Sequence, residues 1–494
     1  MRPRLGLAGG GASGKRQAVR KNAVKSGFEV VDRAPARYTR RVPSGIFPPP
    51  RPRRRRRSWW WRLGLILVLT LTGLTLAVLV WLREAIFHHW VTFPRQAAAS
   101  AGFAESRRPV SPLPGWTEYR GILHSHSEQS HDSEVPFPEI QRALEASGTD
   151  FIALSDHCDE GRGDFSRQWR GMHGDRLFIP GFEMKEGLMP FGVAREVVVE
   201  NRMPAAEIAR TVVQQGGVLF YAHPEEPREW DRAELTGMEI YNIHADFKQL
   251  KHPLLTLIPE LLVNNRRYPD QVFRSIFRRP EENLRRWDEL NRGRHLTGIA
   301  GNDCHQNTGV RGIWTEAGTL RIEDTSPRTL KEWRPGAVGR TLLRWLGGPL
   351  EPGRKVFHVQ LDPYPRMARY VGTHVLAREL TEAAVLDSLR AGRAFVAFDL
   401  LADGRGFLFW SESTDGTRTL MGERRKLAPG LRLEARSPIP CRFRIVRDGG
   451  VVHEESGREL TWVPPGPGLY RVEAELPVAG VWTPWIYANP IRIE

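Results

Sequence analysis

The longest unbroken apolar run in the chain is Leu63 to Leu82, twenty residues without a charge. As a helix rising about 1.5 Å per residue it is about 30 Å long, the thickness of a bilayer's hydrocarbon core. Trp59, Trp60 and Trp61 precede it and Trp81 closes it, at the levels where indole rings meet lipid headgroups. From Tyr119 the pattern changes. Short apolar runs read as strands: Tyr119 to His126, Phe151 to His157, Leu177 to Glu183, Val218 to His223 and Leu296 to His305. Segments of helical period lie between them, such as Phe137 to Ser147, Ala205 to Gln215 and Glu281 to Asn291. Strands alternating with helices predict an α/β fold with a parallel sheet. After Asp399 the runs shorten and alternate, as in Gly406–Glu412, Leu431–Arg436, Cys441–Arg447 and Tyr470–Leu476, with turn residues between. That spacing predicts a β-sandwich-like module.

Less regular stretches separate these parts. Ser106 to Gly115 carries prolines that remove donors and fix φ, so no regular element is expected there. Lys248 to Asn291 is expected to insert two or three amphipathic helices, and Arg311 to Tyr370 to form a less regular excursion over the site. The expected organisation is a basic tail over 1–62, a transmembrane helix over 63–82, a linker over 83–116, an α/β domain over 117–400 and a C-terminal module over 401–494.

Charge sharpens this division. The chain has 72 Lys/Arg against 57 Asp/Glu, a net +15. Residues 1–62 hold 18 of the bases and only two acids, Glu29 and Asp32; the rest has 54 bases against 55 acids. The basicity therefore belongs to the tail, and a near-neutral remainder argues against a nucleic-acid partner. Within the tail, Gly9 to Lys15 fits a phosphate-loop spacing, but Arg16 stands where a Ser or Thr is needed for magnesium. The arginine run Arg53–Arg57 predicts that the N-terminus stays in the cytoplasm and that everything after Leu82 lies outside it, as in a single-pass protein of a bacterial-type inner membrane. Three cysteines, Cys158, Cys304 and Cys441, exclude a disulfide scaffold.

Candidate chemistry lies at the strand ends. His124 and His126 stand two apart on a strand, so both are expected on one face, where two imidazoles can chelate one metal. Asp156 and His157, Glu183, His223, and Asp303 with His305 each end an apolar run. Such residues at the C-terminal ends of parallel strands are the arrangement of an α/β barrel with its site at that end. His244, after another apolar stretch, is a further candidate for the pocket wall. Cys158 and Cys304 adjoin these positions and are read as buried small residues, with pairing as the alternative if the strand ends converge.

In this order the motifs His124-Ser-His126, Ser155-Asp-His157, Gly181-Phe-Glu183, Ala222-His-Pro224 and Gly301-Asn-Asp-Cys-His305 resemble the polymerase and histidinol phosphatase (PHP) superfamily of metal-dependent hydrolases. Leu380 through Val396 resembles that family's closing helix and strand. The anchored layout and Trp485-Ile-Tyr-Ala-Asn-Pro-Ile491 look most like its carbaryl-hydrolase-like branch. The resemblance implies a distorted (βα)7 barrel of PHP type. It implies that His124 and His126 bind a first metal, that Glu183 bridges two, that His157 and His223 bind a second or third, and that Asp303 and His305 complete the set. It implies one more ligand at His131 or Asp132, and Ser130-His-Asp-Ser133 favours Asp132. The family's additional histidine between the glutamate and the His-Pro motif is missing here, where Phe191-Gly-Val-Ala194 stands, which weakens the case for a third ion.

The implied cofactors are two or three divalent ions of zinc, manganese or iron. The implied activity is hydrolysis of a small-molecule phosphoester by metal-activated hydroxide, with Asp303, Asp156 and His223 as the groups that move protons or stabilise charge. The alternatives are a carbamate, ester or amide hydrolase on the same site, and a non-catalytic surface binding or sensor module.

Overall fold

The structure is a computed structural model that describes residues 57–158, 161–250, 252–324 and 329–494. Residues 1–56 of the basic tail, with Gly9–Lys15 and most of the arginine run, lie outside them. The chain divides into two units, one ending at Thr70 and one covering Leu71–Glu494.

Helix α1 (Arg57–Phe87) contains the apolar run. It is the single helix among the described residues long and apolar enough to cross a membrane. It passes through one π-helical turn, His88–Thr92, into helix α2 (Phe93–Ser106). Pro94 sits in the first turn of α2, directly after the π-helical turn, and the helical path continues through it. The stretch read as a linker is therefore helical up to Ser106, and the proline-rich segment after it is irregular as expected.

The strands that carry the site follow. They are β1 (Thr117–Ser125), β2 (Phe151–Ala153), β3 (Asp156–His157), β4 (Arg176–Ile179), β5 (Phe182–Glu183), β6 (Leu188–Phe191), β7 (Val218–Tyr221), β8 (Gly237–Asn242) and β9 (Thr297–Cys304). Parallel pairings lead from β4 to β2, β1, β9, β8 and β7. Strand β6 pairs antiparallel with β7, and a single bridge from Phe191 to Gly181 leads back to the segment after β4. The small parallel pair β3–β5 sets His157 directly beside Glu183.

Helices cover the sheet because their apolar residues recur at helical spacing. Helix α3 (Phe137–Ser147) buries Phe137, Ile140, Ala143 and Leu144 and ends where Gly148 adopts φ 66°. Helix α4 (Ala205–Gln214) buries Ala205, Ile208, Ala209 and Val212. Helices α5 (Ile243–Lys248) and α6 (Pro253–Asn264) follow β8, and Glu281–Gly293 packs through Leu284 and Trp287.

Residues 311–370 differ from expectation. They are regular: strands Gly309–Trp314, Leu320–Asp324, Thr329–Trp333 and Lys355–Gln360 form an antiparallel sheet beside the helix Ala337–Gly347. The C-terminal strands pair antiparallel except for Arg424–Arg425, which runs parallel to Ile491–Ile493, and they are hydrogen-bonded into the rest of the molecule. Val481–Ala488 pairs with Ala394–Ala397, which pairs with Gly372–Ala377, which pairs with β1.

A buried ion network marks that seam. The ring of His374 donates to Glu118 (2.6 Å) and to Asp399 (3.1 Å), and Arg120 lies 2.8 Å from Asp399. Burial opposes charge on His374, but Asp399 and Glu118 prevail and hold its pKa up at about 9. A pKa above the ordinary 6.5 stabilises the fold below about pH 6.5, and this contribution is lost as pH rises through about 9. It amounts to about 3 kcal/mol. The unfolding midpoint of the wild type is expected to fall between pH 7 and 10 more steeply than that of His374→Gln. Parallel pH profiles of the two proteins would refute the charged imidazole.

Candidate metal centre

The ends of the parallel strands converge on one site. Ligand-type atoms gather into three groups: His126, Asp132, His157 and His305; His124, Glu183, His223 and Asp303; and His244, Asp303 and His305. Within each group the atoms lie within 4.8 Å of one another, so displacements of under about 1 Å bring them to about 2.0–2.2 Å from a shared ion. Two carboxylates join the groups. Glu183 Oε2 is 3.1 Å from His124 Nε2 and 3.7 Å from both His126 and His157, while Oε1 is 3.4 Å from His223. Asp303 Oδ1 lies 3.3 Å from His124, His126 and His305, and Oδ2 lies 3.4 Å from His223 and 3.3 Å from His244.

His124 and His126 fall into different groups. Strand β1 is not regular at its end, where its register with β9 shifts between Leu123 and Ser125 and His124 has φ 62°, yet both rings reach Asp303 Oδ1, as alternation on one face expects. His223 (φ 49°) and Asp303 (φ 48°) share this left-handed conformation. It costs a non-glycine residue of order 1–3 kcal/mol and persists where the surroundings enforce it, most often at functional sites.

The rings are oriented from behind. His124 Nδ1 donates to Glu239 Oε1 at 2.5 Å, leaving Nε2 for the group. Glu239 is fully buried and also accepts from the backbone N–H of His223 (2.9 Å) and from Asn242 Nδ2 (3.1 Å). Asn242 Oδ1 in turn caps α5 by accepting from Ala245 N–H at 3.0 Å, which fixes the helix carrying His244. A Cβ at Gly301 would collide with Glu239, so β9 needs glycine there. His126 Nδ1 donates to Ser130 Oγ (3.2 Å), which donates to Asp132 (2.7 Å). His305 Nδ1 donates to the Asp303 carbonyl at 2.9 Å, and His223 Nδ1 to Glu225 at 3.2 Å.

Electrostatics suit a cation. Burial, with His305 nearby, lowers His126 to about 3, so it stays a neutral ligand. Burial also opposes charge on His124, yet Asp303, Glu239 and Glu183 hold it well above the ordinary value. Burial raises Asp303 and Glu183, but the surrounding imidazoles, His124 foremost, keep both carboxylates below their ordinary range. The field that charges these rings is one that favours a bound cation. Two facing buried atoms, His126 Nε2 and Asp303 Oδ1, have no hydrogen-bond partner. A lone pair against a carboxylate oxygen in the interior is costly unless a cation lies between them. The residues present therefore fit divalent ions.

Other expected residues are placed differently. Asp132 belongs to a group; His131 does not, although it lines the adjoining cavity. Asp156 is in none of the groups. Its oxygens accept from Ser127 Oγ (2.8 Å), Ser127 N–H (2.5 Å) and Gln168 Nε2 (2.6 Å), which braces the loop after His126. His244 supplies a further imidazole from α5, grouped with Asp303 and His305. Cys158 and Cys304 are free thiols. Glu239 was not singled out in the sequence, although a lone carboxylate between Met238 and Ile240 is its signal. A cavity of about 610 Å³ opens on the groups and is also lined by Lys185, Asn201 and Arg228.

No protein-family model matches the chain, and no curated protein matches it. Among solved structures it is similar to a two-domain protein from Bacteroides vulgatus ATCC 8482, described as containing a predicted PHP-like metal-dependent phosphoesterase. The two are 14% identical, the match covers 78% of this chain and 98% of that one, and the TM-score is 0.33.

Proposed function

We propose that this chain is a membrane-anchored, metal-dependent hydrolase that cleaves a small-molecule phosphoester in a PHP-type site on a distorted (βα)7 barrel. The carrying observation is that Glu183 and Asp303 join two four-residue groups around a pair of buried atoms that make no hydrogen bond. Strand order supports the barrel, with β6 as the reversed member. Mixed imidazole and carboxylate donors suit zinc, manganese or iron. Divalent ions there supply Lewis acidity, acidifying water and polarising the phosphoryl group. Asp303, which faces ligands of all three groups, takes the proton from the attacking water. His223, aimed by Glu225, offsets charge developing on the substrate. Lys185 and Arg228 on the cavity wall give the substrate's anionic oxygens a counter-charge. Helix α1 supports the anchor, and the tail's arginines support a catalytic domain outside the cytoplasm.

The test is a screen of the full chain in detergent against a phosphomonoester, a phosphodiester, a carbamate and a carboxylic ester. Phosphoester hydrolysis, lost on chelation and restored by zinc or manganese, is expected. Cleavage confined to the carbamate or carboxylic ester would remove the phosphoesterase assignment, and a metal-loaded chain inert to all four would leave a binding module.

A further inference from the structure

Helix α6 is unusual in what it exposes. It buries Glu260 and Asn264 and packs Leu257 and Leu261 against the small core of Phe93, Tyr268 and Val272. One helical stripe away, Leu255 and Leu262 are 63% and 67% exposed, seven residues apart on one face. Arg266 and Arg267 follow directly and are exposed.

Its position explains the exposure. Asn264 Nδ2 donates to the carbonyl of Ala85 at 2.9 Å, His89 Nδ1 donates to Asn264 Oδ1 at 2.9 Å, and His88 Nδ1 donates to Glu260 at 2.6 Å. Helix α6 is thus hydrogen-bonded to the chain just past the apolar run. Ala85 lies three residues beyond Leu82, about 4.5 Å along the axis. A bilayer's headgroup layers together add about 10–15 Å to its hydrocarbon core, so each is about 5–8 Å deep. If α1 crosses a bilayer, the end of α6 lies within that layer. Phe87, 57% exposed on α1 at about the same level, points to the same surroundings.

We infer that the C-terminal end of α6 is seated in the headgroup layer of the bilayer that α1 crosses, with Leu262 in lipid and Arg266 and Arg267 against lipid phosphates. The domain is then clamped on the membrane surface instead of swinging from a tether. This rests on the reading of α1 as an anchor. An apolar stripe flanked by arginines is the chemistry of an interfacial helix, and each arginine near an anionic surface adds about 1 kcal/mol of attraction.

The test uses the full chain in nanodiscs of phosphatidylcholine and phosphatidylglycerol, with a spin label on Leu262→Cys, on Leu76→Cys within the span, or on Val463→Cys, an exposed position in the C-terminal module. The three native cysteines are buried. Leu262→Cys is expected to be roughly tenfold less accessible than Val463→Cys to a water-soluble relaxation agent, as interfacial burial requires. Replacing Arg266 and Arg267 with glutamine is expected to reduce that protection. A label at 262 as accessible as the one at 463, with 76 protected, overturns the seating and leaves the anchor. Accessibility at 76 overturns both. Protection unchanged without the two arginines overturns the headgroup contact.

Discussion

The double variant His124→Ala, His126→Ala is expected to lose its bound metal and at least about 10³-fold in turnover, because without metal the site has no means of acidifying water at neutral pH. The two imidazoles fall in different groups, so the pair of changes strikes both. It also leaves Glu183 and Asp303 buried without the ring that most lowers their pKa. The fold itself should persist, since β1 is held by Ile122 and Leu123 in the core and by pairing with β2 and β9. His126→Ala alone should remove one ion and leave the group of His124 loaded. Metal content, circular dichroism and hydrolysis on the same samples check this. Wild-type turnover by the double variant would mean that the site is misassigned.

Glu239→Gln is expected to weaken metal binding by about 10–100-fold, the usual effect of losing the partner that orients a ligand histidine. Glu239 is a pure acceptor serving three donors: the His124 ring, the His223 backbone and the Asn242 side chain. A glutamine offers one oxygen and two N–H groups in the same space. It opposes a proton on His124 Nδ1 and favours the tautomer whose Nε2 cannot bind a cation. Glu239→Ala adds a fold penalty, leaving those donors unsatisfied at about 1–3 kcal/mol for each buried group. The absorption spectrum of the cobalt-loaded protein and a metal titration separate misorientation from simple loss of stability. An affinity for metal equal to that of wild type in Glu239→Gln would refute the positioning role.

The strand ends were legible in the sequence because apolar runs stop abruptly at histidines and carboxylates, and the structure brings those residues together. What was not legible depends on local backbone geometry. Alternation puts His124 and His126 on one face and both rings reach Asp303 Oδ1, but the left-handed turn at His124 and the register shift beside it, which the sequence does not show, give the two rings different neighbours. Asp156 adjoins His157 in sequence, yet successive residues of a strand point to opposite sides, and Asp156 meets Ser127 and Gln168. His244 was a candidate for the pocket wall from its place after an apolar stretch; the helix that carries it to the site is capped by Asn242 immediately after β8, through a local hydrogen bond invisible to hydrophobic periodicity. The sheet within 309–360 escaped notice because its strands carry charges on exposed faces, Thr329–Trp333 being exposed throughout. The helical path from α1 into α2 was not expected, because the linker reading rested on the prolines of Ser106–Gly115, which lie beyond its end.

The most direct test of the central claim is the metal count of the full-length protein, loaded with zinc or manganese and then dialysed exhaustively. Two groups of four ligands predict at least two tightly held divalent ions per folded chain. A folded chain that retains none would contradict the assignment of His124, His126, Glu183 and Asp303 as a metal centre.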